Sequence, residues 1–201
     1  MACRVQYWFS TASPWAWLGS RRFIDLAAQA QALVEVLPID LGVVFADTGG
    51  VPFHQRSPAR QSYRQLELSR WSRRLEVPIN LVPRFYPVDR APSSKLLIAA
   101  RIEGLDAHTL SHAILQAVWV QDRNIADWET LDAVANEAGL GRDAQALVRL
   151  AQQPRIHDEY LQGTRRAVEA EVFGSPTYTV EGERYWGQDR LDFLADRLLR
   201  G

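Results

Sequence analysis

The stretch Glu171–Arg190, EVFGSPTYTVEGERYWGQDR, predicts a β-hairpin followed by a helix. Its β-favouring run Thr177–Val180 comes directly after a Gly-Ser-Pro sequence, and residues 181–183, Glu-Gly-Glu, have the composition of a hairpin turn. The returning strand Arg184–Trp186 ends at a glycine, after which Arg190 to Arg200 reads as a C-terminal helix. The stretch is therefore a β-β-α unit whose backbone groups, next to a proline, could form a binding site.

The N-terminus predicts a complementary β-α-β unit. Arg4–Phe9 alternates polar and apolar residues rich in β-formers, which is typical of a strand. Ser13-Pro14 has the form of a helix N-cap followed by proline at the first helical position, so a helix is predicted from Pro14 to about Gln29. Leu33–Leu37, closed by a proline, predicts a second strand, and a right-handed crossover would make the two strands parallel.

The middle of the chain is predicted to be helical apart from two segments. Gly42–Phe53 is loop-like, and Pro78–Pro92, which carries four prolines, is predicted to be extended. The predicted helices are Ser57 to about Leu75, Ser93 to about Glu103, Ala107 to Gln121, Asp127 to Glu137, Arg142 to Gln152 and Arg155 to Ala170.

This element order predicts a mixed four-stranded sheet with helices on its faces. The fold class is therefore α/β, a thioredoxin-like fold (β-α-β … β-β-α) interrupted by a large all-helical insertion. Residues 1–42 and 172–201 are predicted to form the thioredoxin-like domain, and residues 43–171 the helical insertion domain.

Composition excludes several classes of partner. The 24 acidic and 23 basic residues nearly cancel, which gives no reason to expect a nucleic acid or a membrane as a partner. No apolar run approaches the roughly 18 residues that span a bilayer, and the first ten residues lack the apolar region of a secretory signal. A lone cysteine, Cys3, excludes an intramolecular disulfide and fits a reducing cytoplasm.

The turn before the first helix is the first candidate site. In a thioredoxin-like fold this turn presents a reactive group at a helix N-terminus, where unpaired N–H groups and the helix dipole stabilise an anion. The segment here is Ser13-Pro14-Trp15-Ala16, and without a cysteine it cannot carry out dithiol chemistry. Ser13 could instead donate a hydrogen bond to the thiolate of a cofactor, whose pKa the helix N-terminus would lower. The alternative is that Ser13 is only an N-cap, which stabilises the helix by about 1 kcal/mol.

Two further candidates lie in the C-terminal unit. In this fold the strand facing the helix start begins with a cis proline, here Pro176, and the preceding Ser175 would offer main-chain hydrogen bonds to a cysteinyl backbone. Gln188 and Asp189, at a helix start, could hold an α-amino or α-carboxylate group; the alternative is an ordinary acidic first turn. Three such elements at one sheet edge match a small peptide thiol, and glutathione fits that description.

Three segments resemble the family of 2-hydroxychromene-2-carboxylate isomerases, relatives of the kappa-class glutathione transferases and of DsbA: residues 9–18 (FSTASPWAWL), 172–177 (VFGSPT) and 186–191 (WGQDRL). The resemblance implies a cytoplasmic, homodimeric, glutathione-dependent enzyme of aromatic degradation that interconverts 2-hydroxychromene-2-carboxylate and trans-o-hydroxybenzylidenepyruvate. It implies that Ser13 contacts the glutathione sulfur and Ser175 its cysteinyl backbone. Gln188 and Asp189 would hold the γ-glutamyl head.

The chain departs from the family pattern at the substrate side. His54 and Arg60 stand where relatives commonly have asparagine and lysine, and both are predicted to contact the cofactor. Residues 84–91, RFYPVDRA, replace a loop that carries asparagine and arginine in relatives. The side chains predicted to line a pocket for a small aromatic carboxylate are Trp15, Tyr86 and Trp186.

Other functions stay open at this point. A kappa-like transferase would conjugate glutathione to electrophiles, and a non-catalytic module would bind extended peptides. The basic helix between Arg56 and Arg74 is interpreted as a solvated face with one or two arginines turned to an anionic ligand, in preference to a nucleic-acid surface. His108 and His112 lack a third nearby ligand, so no metal site is predicted.

Overall fold

The computed structural model describes residues 3–141 and 143–200. The strands are β1 (Arg4–Phe9), β2 (Leu33–Pro38), β3 (Thr177–Val180) and β4 (Glu183–Trp186), in the sheet order β2-β1-β3-β4. β1 runs parallel to β2 and antiparallel to β3, and β3 runs antiparallel to β4. The predicted mixed sheet and thioredoxin-like fold class are therefore confirmed.

The helices occupy the predicted regions, with one addition. They are α1 (Pro14–Gln29), α2 (Leu41–Thr48), α3 (Pro58–Leu75), α4 (Ala91–Ile102), α5 (Ala107–Trp119), α6 (Trp128–Ala135), α7 (Ala144–Ala151), α8 (Pro154–Glu169) and α9 (Leu191–Arg200). Short helical turns lie at Phe53–Gln55, Asn136–Leu140 and Gln188–Arg190. The predicted helix start at Arg142 falls outside the described residues.

Helix α2 corrects the expectation of a loop over Gly42–Phe53. The Asp40 carboxylate accepts a hydrogen bond from the Gly42 N–H at 2.8 Å and caps the helix, which ends where Gly49 adopts a left-handed φ of 76°. Val44 is fully buried and anchors this helix. The two glycines and the short length of the helix concealed it in the sequence.

The two faces of the sheet pack against different groups of residues. Val5, Tyr7 and Phe9 of β1 belong to the main core, which continues into α4 and α5, whereas Trp8 points to a smaller cluster with α2 and α8. Each of the two clusters thus combines residues of the strands with residues of the helical segment. The division into residues 1–42 with 172–201 and residues 43–171 stays a prediction.

The segment between α3 and α4 follows the expectation of an extended excursion. Residues 77–90 contain neither helix nor strand, and the Tyr86–Pro87 peptide is cis. The segment returns to the turn between β1 and α1 at the start of α4, where the Ser93 hydroxyl donates to Thr11 Oγ1 at 2.8 Å. None of the helices over residues 3–141 and 143–200 combines the length and apolar character needed to cross a membrane.

Candidate functional site

Ser13 and Ser175, which are 162 positions apart in sequence, are in contact at the N-terminus of α1. The Ser13 Oγ accepts a hydrogen bond from the Ala16 N–H at 3.2 Å and donates one to the Ser175 carbonyl at 3.3 Å. The Ser175 Oγ in turn accepts from the Ser10 N–H at 2.9 Å. The fold therefore brings together two serines that were predicted as site residues from separate segments of the sequence.

The start of α1 favours an anion. Its first turn carries no acidic side chain to offset the positive end of the helix dipole. Pro14 has no N–H and the Ala16 N–H is bonded to Ser13, which leaves the Trp15 N–H without a partner among the described residues. A negatively charged sulfur beside Ser13 would meet one hydroxyl, one free amide and the helix dipole.

The start of β3 has the geometry expected of this fold. The Ser175–Pro176 peptide is cis, and the Pro176 carbonyl accepts from the Gly187 N–H at 2.8 Å. The Ser175 N–H has no acceptor in the part of the chain that the structure describes, whereas the Ser175 carbonyl is engaged by Ser13. The Ser175 N–H is therefore available to a ligand, and the Ser175 carbonyl becomes available if the Ser13 hydroxyl rotates away.

Gln188 is buried and faces the protein interior. It is 2% exposed, and its Oε1 accepts from the Arg22 guanidinium at 3.1 Å. Arg22 also reaches the Gln188 carbonyl at 3.4 Å and the Asp192 carboxylate at 3.1 Å. Gln188 therefore anchors its turn to α1, and Asp189, exposed beside Arg190 at 2.9 Å, is the member of the pair that a ligand can reach.

Arg22 was not singled out from the sequence, since nothing in the pattern of α1 distinguishes it from the neighbouring Arg21. Replacing Arg22 by methionine should lower the free energy of unfolding by about 1–3 kcal/mol, because both oxygens of the buried Gln188 lose their donor. Chemical denaturation measures this effect. The matched change Arg21→Met, at an exposed position whose ion pair among the described residues is with Asp25, should stay within about 0.5 kcal/mol of the wild type.

Trp186 lies across the glycine that precedes Ser175. Its indole is 52% exposed, meets the Phe173 ring edge-on at 4.8 Å between centroids, and leaves no room for a side chain at Gly174. A Cβ at Gly174 would lie 2.1 Å from the Trp186 Nε1. The predicted position of Trp186 beside the Ser175 site is therefore consistent with the structure, although its ligand role stays a prediction.

The change Gly174→Ala should displace the Trp186 indole from the Phe173 ring. Because the indole is half exposed and can swing outward, the stability loss should stay near 1 kcal/mol, while the indole N–H resonance in an NMR spectrum should shift. Gly163→Ala is the control and should leave that resonance in place, since a Cβ at this helical glycine would make an ordinary contact of 3.6 Å with Arg166 Nη2. An unshifted Trp186 resonance in Gly174→Ala would contradict the packing described.

The other predicted residues are more widely spread. Trp15 and Tyr86 are half-buried against the main core, and the Tyr86 ring lies 5.0 Å from that of Trp119. His54 and Arg60 are exposed, and no hydrogen bond or ion pair joins either of them to the Ser13 turn within the described residues. Their role in cofactor binding remains a prediction.

Among the described residues of the helical segment, Arg64 is the buried cation. It is 8% exposed, and its guanidinium lies 4.4 Å from the centroid of the Phe53 ring. The sequence signal was present: Arg64 falls on the same helical stripe as Leu68, Trp71 and Leu75, which all pack on the core. His108 and His112 also lie inward, and residues 3–141 and 143–200 contain no group of three or more metal-ligating side chains.

Comparison with known proteins places this geometry in a family. A 2-hydroxychromene-2-carboxylate isomerase from Sphingobium xenophagum is 28% identical over 99% of this chain and 100% of its own length. One from Pseudomonas putida is 28% identical over 98% of this chain and 94% of its own. A solved structure of 2-hydroxychromene-2-carboxylate isomerase superposes with a TM-score of 0.78 at 25% identity, covering 98% of this chain and 95% of the other. The DSBA-like thioredoxin domain matches residues 4–199, and the chain therefore belongs to that family.

Proposed function

We propose that this protein is a glutathione-dependent isomerase acting on 2-hydroxychromene-2-carboxylate or a similar intermediate of aromatic degradation. The observation that carries the proposal is the Ser13 hydroxyl, at the N-terminus of α1 and in contact with Ser175. Relatives that carry the isomerase name match nearly the whole chain, which supports the reaction class. Because a fold alone does not specify an activity, the proposed activity depends on the chemistry of the Ser13 and Ser175 site.

The residues fit a bound thiol. At 3.3 Å the bond from Ser13 to the Ser175 carbonyl is longer than an ordinary hydroxyl–carbonyl bond, so the hydroxyl can turn to a sulfur at little cost. That single rotation also frees the Ser175 carbonyl to accept another hydrogen bond. The N–H of the same residue already has no acceptor among the described residues. Donor and acceptor of Ser175 would then pair with the cysteinyl backbone of glutathione as an added strand does.

Glutathione would supply a thiol whose reversible addition to an unsaturated carbon permits rotation about the former double bond. The protein would hold the sulfur in its ionised form through Ser13, the Trp15 N–H and the dipole of α1. Asp189, exposed at the turn after β4, would face the γ-glutamyl amine. Stabilising the thiolate without consuming it makes glutathione a catalyst rather than a substrate.

The test combines binding with product analysis. Calorimetric titration should show glutathione binding to the wild-type protein, and 2-hydroxychromene-2-carboxylate should isomerise with substoichiometric glutathione. A product that retains glutathione in mass spectrometry would instead identify a transferase. Binding of extended peptides without glutathione binding or turnover would identify a peptide-binding module and refute the proposal.

The proposal extends to assembly and location. A homodimer working in the cytoplasm, where reduced glutathione is abundant, suits a chain with a single, half-buried cysteine. Sedimentation equilibrium measures the assembly, and a monomer at all concentrations would contradict this part of the proposal alone.

A further inference from the structure

Arg64 is a buried cation that the described residues of the helical segment leave without an acidic partner at close range. Its guanidinium lies 4.4 Å from the Phe53 ring centroid and 5.8 Å from that of Tyr86. Aromatic rings attract a positive charge but accept none of the in-plane N–H bonds of a guanidinium. Within residues 3–141 and 143–200, Arg64 forms no salt bridge and donates no hydrogen bond to another side chain.

The charges around Arg64 increase the need for an anion. Burial lowers the pKa of Arg64, the Tyr86 phenol opposes that shift, and the positive charge of Arg56 adds to it. Burial and the charge of Arg60 likewise lower the pKa of Arg56. Arg56 thus lies close enough to Arg64 and to Arg60 for their charges to repel, and no carboxylate contributes to either shift. Burying a charge is costly unless it is paired, which indicates that the pairing anion is a ligand.

The position of Arg64 relates it to the thiol site. Tyr86 belongs to the segment that leads into α4, and the first turn of α4 is bonded to Thr11 through Ser93 at 2.8 Å. Thr11 lies two residues before Ser13. Tyr86, one of the two rings beside Arg64, therefore belongs to the same segment that packs against the turn of the proposed thiol site.

We propose that Arg64 is the receptor for a carboxylate carried by a ligand of this protein, bound through two parallel N–H bonds while Phe53 and Tyr86 flank the guanidinium. Arg56 and Arg60 add a positive field that attracts the anion. This inference rests on the proposed function for its place in catalysis. The carboxylate can belong to the aromatic substrate or to the glycyl end of glutathione, which share this chemistry.

The experiment uses a probe that needs no turnover. Salicylate and its uncharged amide, salicylamide, are titrated calorimetrically into the wild type, Arg64→Met, Arg64→Lys and the control Arg73→Met, an exposed arginine on the same helix. The wild type should prefer salicylate by about tenfold or more, the value expected for one charge-assisted pair. Arg64→Met should lose the preference and keep its affinity for the amide. Arg64→Lys, which retains the charge without the planar fork, should fall between them, and Arg73→Met should match the wild type.

A second arm separates the two sources of the carboxylate. The same variants are titrated with glutathione and with γ-glutamylcysteine, which lacks the glycyl residue. If Arg64→Met weakens glutathione but not γ-glutamylcysteine, the site belongs to glutathione; if it weakens only salicylate, the site belongs to the substrate.

Thermal melting distinguishes a ligand role from a structural one. Methionine at position 64 removes an unpaired cation from an apolar setting, so the variant should melt no lower than the wild type. Salicylate should raise the Tm of the wild type and of Arg73→Met, but not that of Arg64→Met. Unchanged affinities for salicylate and glutathione in Arg64→Met would overturn the inference. Failure of the wild type to bind glutathione would refute the proposed function while leaving the salicylate result to decide the carboxylate site.

Discussion

Replacing Ser13 by alanine should lower kcat/KM for the glutathione-dependent isomerisation by about 100- to 1,000-fold, the loss measured when one preorganised donor to a developing anion is removed. The hydroxyl is the side-chain donor that the structure places at the start of α1, facing Ser175. Without it, the bound thiol keeps the helix dipole and the Trp15 N–H but loses its strongest hydrogen bond. The apparent pKa of bound glutathione, followed by the ultraviolet absorbance of the thiolate, should rise toward that of the free thiol.

The same substitution removes an N-cap, so its effect on activity has to be separated from its effect on stability. Asp127→Ala is the matched control, since the Asp127 carboxylate caps α6 through the Thr130 N–H at 2.9 Å, remote in sequence from the Ser13 turn. Both variants should lose about 1 kcal/mol of unfolding free energy. Only Ser13→Ala should change the pKa of the bound thiol. Equal activities in the two variants would mean that Ser13 acts only as the N-cap of α1 and has no role in catalysis.

Local patterns predicted the elements of the fold well because the signals were short-range. Ser13-Pro14 marks the start of α1, and the turn at Glu181-Gly182 adopts the positive φ values, 50° and 86°, that a tight hairpin needs. The order of these elements then allowed few arrangements other than the observed sheet. Helix α2 was not predicted because the residues that cap it, Asp40 and Gly49, are also typical of loops.

The direction in which a side chain points was harder to predict. Gln188 occupies the expected place but turns inward, because Arg22, more than 160 positions earlier, supplies its donor. The basic helix was interpreted as a solvated face with one or two arginines turned to an anionic ligand, and Arg64 was not singled out among them although it shares the buried stripe of Leu68. The pairing of Arg22 with Gln188 depends on how α1 packs against the C-terminal turn, which no local window of sequence contains.

Acidification should destabilise the protein through His108, a second large effect. Burial against Phe23 and Tyr7 lowers the pKa of His108 to about 4, with the charge of Asp106 opposing the shift and that of His112 adding to it. Between about pH 6.5 and pH 4 the unfolded chain therefore binds a proton at this histidine that the folded chain does not. Stability is retained above about pH 6.5 and should fall by about 2–3 kcal/mol as the pH drops to about 4.

The substitution His108→Phe should reduce the loss of unfolding free energy at acidic pH. Its Nε2 is buried without a hydrogen-bond partner among the described residues, so an aromatic hydrocarbon of similar size loses no bond there. Urea denaturation at pH 7 and pH 4.5 measures the difference, and His157→Gln, at an exposed histidine, should behave as the wild type does. If His108→Phe kept the full pH dependence, the acid sensitivity would have to come from carboxylates such as Glu159. The hydrogen bonds of Glu159 to Arg166 and Arg101 outweigh the effect of burial and lower its pKa. Because Glu159 lies on α8, away from the ring cluster around His108, the two sources can be separated by combining the variants.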